Sequence, residues 1–195
     1  MTVSKKMYFC RKFHAVKIDS NPIVENRLYA FWFEGDNGNI YAVTMEQLYD
    51  RSWLWEFFNK HKQDLGYFHV SDIYEAIERT INDLDMIDDL LLDGTTDLDV
   101  YFRDLSQNYK DPYLQRSKGK LKYLLKMQYD SWVRFYAIRI ESGIYVLTGG
   151  TIKLTENMAE REHTLREVSR LEQCRDYLIG NGICDFCGFY EFLNE

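Results

Sequence analysis

Six basic residues between positions 120 and 153 carry the most suggestive chemistry in this chain: Lys120, Lys122, Lys126, Arg134, Arg139 and Lys153. Tyr123, Tyr129, Tyr136 and Tyr145 are interspersed among them. Lysine and arginine answer the charge of a polyphosphate backbone, and aromatic faces stack on unpaired bases. Ribonuclease chemistry without a metal needs little more. Fixed cations stabilise the charge that develops on the scissile phosphate, and one group moves the proton of the ribose 2′-hydroxyl. The plainer alternative is that lysines on the open face of a sheet keep it soluble.

Other candidate chemistries are weaker. Cys184 and Cys187 form a CxxC, but a structural zinc needs four ligands and only Cys10, Cys174 or a distant histidine could complete the set. A thioredoxin-like role needs the pair at a helix start in a βαβ context, so ordinary thiols are the simpler reading and no metal is expected. The run Thr148-Gly149-Gly150 lacks the spacing of a phosphate loop and sits within a strand pattern, where glycines mark a bulge or a close packing point. His14, His61, His69 and His163 share no spacing that suggests a site. No Ser-His-Asp arrangement, no HExxH helix and no cofactor fingerprint can be read.

The elements that must position the cations follow from periodicity. In KLKYLLKMQY, Leu121, Tyr123, Leu125, Met127 and Tyr129 alternate with Lys120, Lys122, Lys126 and Gln128, which predicts a half-buried strand over 120–128. Asp130-Ser131 turns into an apolar run at 132–140, and Ser142-Gly143 turns again into 144–153. The prediction is an antiparallel β-meander. On a period-two count Arg134 shares a face with Tyr136, Arg139 lies on the opposite face with Phe135 and Ala137, and Lys153 shares a face with Tyr145 and Thr151.

Upstream, residues 7–18 and 27–34 read as strands, with 40–43 as a short hairpin partner after the turn at 35–39. Thr44 and Gln47 have capping-box spacing, predicting a helix to about Lys62 whose rings (Tyr49, Trp53, Trp55, Phe57, Phe58) suit a core or a protein interface. Ser71 is a candidate cap for a second helix with a buried stripe of Ile73, Ile77, Ile81, Leu84, Ile87 and Leu91. A short strand is expected around 100–102. A helix over 158–179 should turn Leu165, Val168, Leu171 and Leu178 inward and end at Gly180-Asn181-Gly182. The organisation is one α+β domain over 1–195: an N-terminal strand extension (1–43), a helical pair (44–93), and a meander with its C-terminal helix (118–179). The helices should gather on one face of the sheet.

Bulk properties narrow the class. The chain has 195 residues, 46% hydrophobic and 16% aromatic, enough for one real core. A formal charge of −7 argues against a general nucleic-acid binder. The charge is uneven, however. Residues 72–104 hold eleven acidic and two basic side chains, whereas 113–155 hold eight basic and two acidic ones. The acids should form a solvated helix face, on a different surface from the lysines. With four cysteines, no signal-peptide pattern and no membrane-length apolar run, a soluble protein of the reducing cytoplasm is expected, with no membrane partner.

The stretch SWVRFYAIRIESGIYVLTGGTIKLTENMAEREHTLREVSRLEQCRDYL resembles the C-terminal half of RelE/HigB-like toxins of bacterial toxin–antitoxin systems, in their phage-derived HigB-like branch. The matching features are an arginine in a hydrophobic strand (Arg134), a short turn at Ser142-Gly143, a second hydrophobic strand, Lys153, and a charged helix ending in Tyr177-Leu178. The resemblance implies a RelE-like fold, metal-independent cleavage of messenger RNA at the ribosome, and a helix-turn-helix antitoxin as partner. By position it implies catalytic roles for Arg134 and Lys153, with Tyr145 third, beside an RNA-binding row of Lys120, Lys122 and Lys126. This chain departs from the pattern: Leu154 follows Lys153, the protein is acidic, and it is about twice the usual length. The competing class is a toxin-derived module without catalysis that binds a helix-turn-helix regulator.

Overall fold

The computed structural model describes residues 15–105, 114–125, 127 and 129–194. Its α+β architecture is a mixed six-stranded sheet in the order β1-β2-β6-β5-β4-β3. The strands are β1 (Ala15–Ile18), β2 (Leu28–Phe33), β3 (Phe102–Asp104), β4 (Gln115–Gly119), β5 (Val133–Glu141) and β6 (Ile144–Ile152). All neighbours are antiparallel except β2 and β6, which pair in parallel over Leu28–Ala30 and Tyr145–Leu147. The expected strand over 7–18 is described only from Ala15 onward; residues 7–14 lie outside the described residues. Among the described residues, no helix is long and apolar enough to cross a membrane.

The meander exists, but its first strand is not 120–128. Leu121–Tyr123 is a single 3-10 turn, and the strand paired with β5 is Gln115–Gly119. The reason is packing. Tyr101 lies against Gly119 so closely that a Cβ there would meet its ring at 2.3 Å, so β4 uses small and polar residues and carries no hydrophobic signature. The turn at Ser142-Gly143 forms as expected, Gly143 taking φ +77°, and Asp99 clasps it by accepting from the Gly143 N–H at 3.0 Å and from the Ser142 hydroxyl.

Residues 40–43 are helical rather than a hairpin strand. Helix α1 (Ile40–Tyr49) starts at Asn39, whose side chain accepts from Ala42 N at 3.1 Å and donates to Asp19 at 2.8 Å, so Thr44 lies inside the helix instead of capping it. The predicted single helix to Lys62 breaks at Asp50, which caps α2 (Arg51–Lys60) through the Ser52 and Trp53 N–H groups. Helix α3 (Ile73–Leu92) is capped by Asp72, not Ser71, and buries the predicted stripe except for half-buried Ile81. At 100–102 the short helix α4 (Leu98–Tyr101) leads into β3.

The last long helix, α5 (Glu162–Gly180), buries Thr164, Glu167, Leu171, Cys174 and Leu178, while Leu165 is 48% exposed and not part of the core. Helix α6 (Phe186–Leu193) then docks Phe189 edge-on against Tyr29 at 5.0 Å. The helices cover both faces of the sheet instead of one. Thr44 of α1 meets β6 at Gly150, beside Phe135; Glu167 and Arg170 of α5 meet it from the other side at Gly149, opposite Tyr136. Of the α3 acids, Asp88 and Asp85 accept from Tyr41 and Tyr49 and Glu78 pairs with Arg51, but the expected solvated face is not complete: Asp83 is fully buried and accepts from Tyr129 at 2.8 Å.

Candidate functional site

Three neighbouring strand ends gather the cations. Lys118 stands opposite Tyr136, Arg134 opposite Thr151, Lys120 follows β4, and Lys153 follows β6 with its N–H on the Trp132 carbonyl at 2.8 Å. Cross-strand partners share a face, so Lys118, Arg134, Tyr136 and Thr151 form one patch. Lys122 joins it from the 121–123 turn and pairs with Asp130 at 2.8 Å. Lys126 lies outside the described residues.

Their electrostatics reflect crowding. Burial, then the charges of Arg134 and Lys122, pull Lys120 down to about 8. Lys118 is lowered by burial and the same two cations, and Lys153 by burial, Arg134 and Lys118. Asp130, which burial alone would raise, is held low by its Lys122 hydrogen bond and by Lys120. The Lys118 ammonium has no hydrogen-bonding or ion-pair partner among the described residues. Tyr123 sits at the edge of the patch, with the Lys120 ammonium 5.9 Å and the Arg103 guanidinium 5.3 Å from its ring centroid.

Of the three predicted catalytic residues, Arg134 and Lys153 fall in one patch and Tyr145 does not. Arg134 is 4% exposed, and its Nη1 donates to the carbonyls of Ser131 and Val133, the latter at 2.7 Å. Lys153 Nζ donates to the carbonyl of Thr155 at 2.6 Å and to that of Glu156. Tyr145 is on the other face. A bulge inserts Thr148, so Gly149 pairs with Tyr136 but Leu147 with Ala137, and Tyr145 therefore falls opposite Arg139. That bulge reverses the expected sharing of a face between Lys153 and Tyr145, and bears out the structural reading of the glycines beside it. Tyr145 is 1% exposed, donates to Asp99 at 2.7 Å and has its pKa raised by burial and that bond. It lies about 16 Å along β5 from Arg134, five residues at strand rise.

Sequence reasoning counted Lys118 and Arg103 among the basic residues without giving them a role, and placed Tyr123 on a strand; the register of β3 and β4 and the 121–123 turn bring the three to the patch. It also missed that His61 and His163 meet, with ring centroids 4.9 Å apart beside Phe57. His163 hydrogen-bonds the Ile152 carbonyl at 2.9 Å, and burial lowers it to about 4. Asp64 lies 3.5 Å from His61 and binds Arg161 through Nε at 2.8 Å. The two histidines are too far apart in the chain for any local pattern to join them. Among the described residues no group of His, Cys, Asp and Glu could hold a metal ion. Cys184 and Cys187 are exposed free thiols at the start of α6, with Asp185 between them as its cap; the helix start is therefore present, but no strand leads into it.

Comparison with known proteins finds no matching family model, no similar curated protein and no similar solved structure.

Proposed function

We propose that the Lys118–Lys120–Arg134–Lys153 patch is an RNA phosphate site, and that the chain is a cytoplasmic toxin-like endoribonuclease of RelE-like fold acting on messenger RNA at the ribosome. The observation that carries the reading is Lys118: a half-buried cation facing Arg134 and Lys122, with no anionic partner among the described residues. Like charges crowded in this way raise the energy of the free protein, and a bound phosphate relieves it. Tyr123, flanked by two cations, supplies a stacking surface next to the phosphate site. The order of strand, helices, meander and closing helix supports the fold assignment.

In this reading Lys120 is the titrating group. With its pKa near 8, part of it is neutral at physiological pH. Neutral Lys120 takes the 2′-hydroxyl proton, the 2′-oxygen attacks the adjacent phosphorus, and the bond to the 5′-oxygen breaks. The products are a 2′,3′-cyclic phosphate and a 5′-hydroxyl that gains a proton from water. Lys118 and Lys153 face the phosphate. Arg134, buried behind them, contributes charge rather than contact. The test is expression without any partner, comparing wild type with Lys118→Ala/Lys120→Ala. Wild type should arrest growth and fragment messenger RNA, and the double variant should do neither.

A second reading is favoured by the Arg134 and Lys153 donors, which are occupied by backbone carbonyls. In that case the patch binds without cutting and engages a helix-turn-helix regulator. Wild type that grows normally with intact messenger RNA, yet captures such a protein through Lys118 and Lys120, selects the binding module.

A further inference from the structure

β2 and β6 run together for only three residues. β2 then pairs with β1 through Phe31 and Phe33, while β6 continues from Gly149 to Ile152 with β5 alone. The chain leaving β2 crosses to α1 on one face, and the chain leaving β6 goes to α5 on the other. Parallel strands whose connections part to opposite faces leave a crevice beyond their carboxyl ends, where open sheets bind ligands. A cleft of about 430 Å³ occupies that position. Its size falls within the range of small-molecule sites.

Three kinds of lining meet in it. Phe33, Ile40, Leu48 and Trp53 are apolar. Arg166 and Arg170 come from α5; Arg166 pairs with Glu162, and Arg170 bonds Glu167 at 2.9 Å and lies 5.6 Å from the Phe33 ring. Glu34 and Asp36, at the end of β2, have no ion-pair partner among the described residues. Glu167 is 6% exposed and bonded to Arg170. Arginines from α5, carboxylates without an ion-pair partner from the end of β2, and apolar side chains in the same cleft match a molecule with a carboxylate, an ammonium and a hydrocarbon body.

We propose that this cleft binds a small zwitterion of amino-acid size with an apolar side chain, its carboxylate toward Arg170 and Arg166 and its ammonium toward Glu34 and Asp36. The cleft adjoins the cationic patch at Thr151 but draws on different charged side chains, so this proposal stands whether or not the RNA reading does.

The experiment is calorimetry and thermal shift on the full chain with the twenty L-amino acids, followed by L-leucine against 3-methylbutylamine and 4-methylpentanoate. An apolar amino acid should bind saturably, and losing either charged group should weaken binding tenfold or more, since a hydrogen bond to a charge is worth about 1.5 to 3 kcal/mol. Glu34→Gln/Asp36→Asn, on exposed and half-exposed positions, should lower affinity by a similar factor while leaving thermal unfolding of the free protein unchanged. Gln47→Trp, placed on an exposed helix position at the cleft, should abolish binding by filling it. No binding of any amino acid at about 1 mM, a range where weak ligands register, overturns the proposal. So does an amine or an acid that binds as tightly as leucine, or binding indifferent to both variants.

Discussion

At the end of the sheet where β4 enters the 121–123 turn, Lys118, Lys120, Arg134 and Lys153 hold like charges close together, and at about 8 Lys120 still keeps most of its charge at neutral pH. Across β6, in the cleft, burial acts in the same direction and goes further: Glu167 is pushed up to about 7, against the pull of Arg170, and His163 down to about 4. Both of those shifts favour the uncharged form. The cleft removes charge that the patch retains, although both are built on the same half of one strand. Retained, crowded charge is unfavourable for the fold unless something outside it supplies the counter-charge.

Arg134→Ala breaks the comparison most severely. It leaves the Ser131 and Val133 carbonyls without their buried donor, so a loss of about 2 to 4 kcal/mol is expected in urea unfolding. In the folded fraction Lys120 should titrate higher than in the wild type, because the Arg134 charge is, after burial, the next cause that lowers it; a nitrogen-detected titration reads this.

The two shifted groups of the cleft give the next effect, and their signs oppose. Glu167 holds its proton to about 7 in the fold, against 4.5 for the free group, so its contribution falls as pH rises between those values. His163 stays neutral in the fold down to about 4, against 6.5 when free, so its contribution rises with pH over an overlapping window. Glu167 is worth about 3 kcal/mol at 1.36 kcal/mol per unit, and His163, more open to solvent, about half to two-thirds of that. Wild-type stability should therefore be nearly flat in these two groups from pH 4.5 to 6.5. Glu167→Gln should expose a rise with pH, and His163→Gln a fall, in urea midpoints measured across that range.

Gly119→Ala sharpens the account of β4, since its Cβ must displace the buried Tyr101 ring; a cost of about 1 to 3 kcal/mol is expected in thermal unfolding. The smallest effect separates the two regions most cleanly. Lys118→Met should raise stability by a few tenths to about 1 kcal/mol, because it removes a crowded cation. The same change should weaken single-stranded RNA binding and reduce the salt slope by about one counterion.

The parts legible beforehand were those whose own residues carry the pattern. The stripe of α3, the apolar runs of β5 and β6 and the turn between them depend on local periodicity. β4 was hidden because Gln115–Gly119 is packed from above by Tyr101 and needs no apolar residues of its own. The helix α1 was hidden because Ile40, Tyr41 and Val43 favour strands, and Asn39, held by Asp19 from a distant part of the chain, decides the matter. The alternation at 120–128 was genuine, but Leu124-Leu125 interrupts it where the chain turns. A single inserted residue, Thr148, moved Tyr145 away from the cations it was expected to join. The cleft depends on how β2 and β6 diverge, and no local pattern encodes that.

The parallel pairing of Leu28–Ala30 with Tyr145–Leu147 also sets the order of assembly. One central strand must wait for the other until most of the chain has been synthesised. Until then Leu-Tyr-Ala-Phe-Trp-Phe of β2 presents an apolar edge with unfilled backbone groups, a template for pairing between nascent chains. Long-range closure of this kind makes folding slow. The longer that edge stays open, the more nascent chains are exposed to pairing with one another, so slower, cooler synthesis or a chaperone that covers β2 is expected to raise the soluble yield.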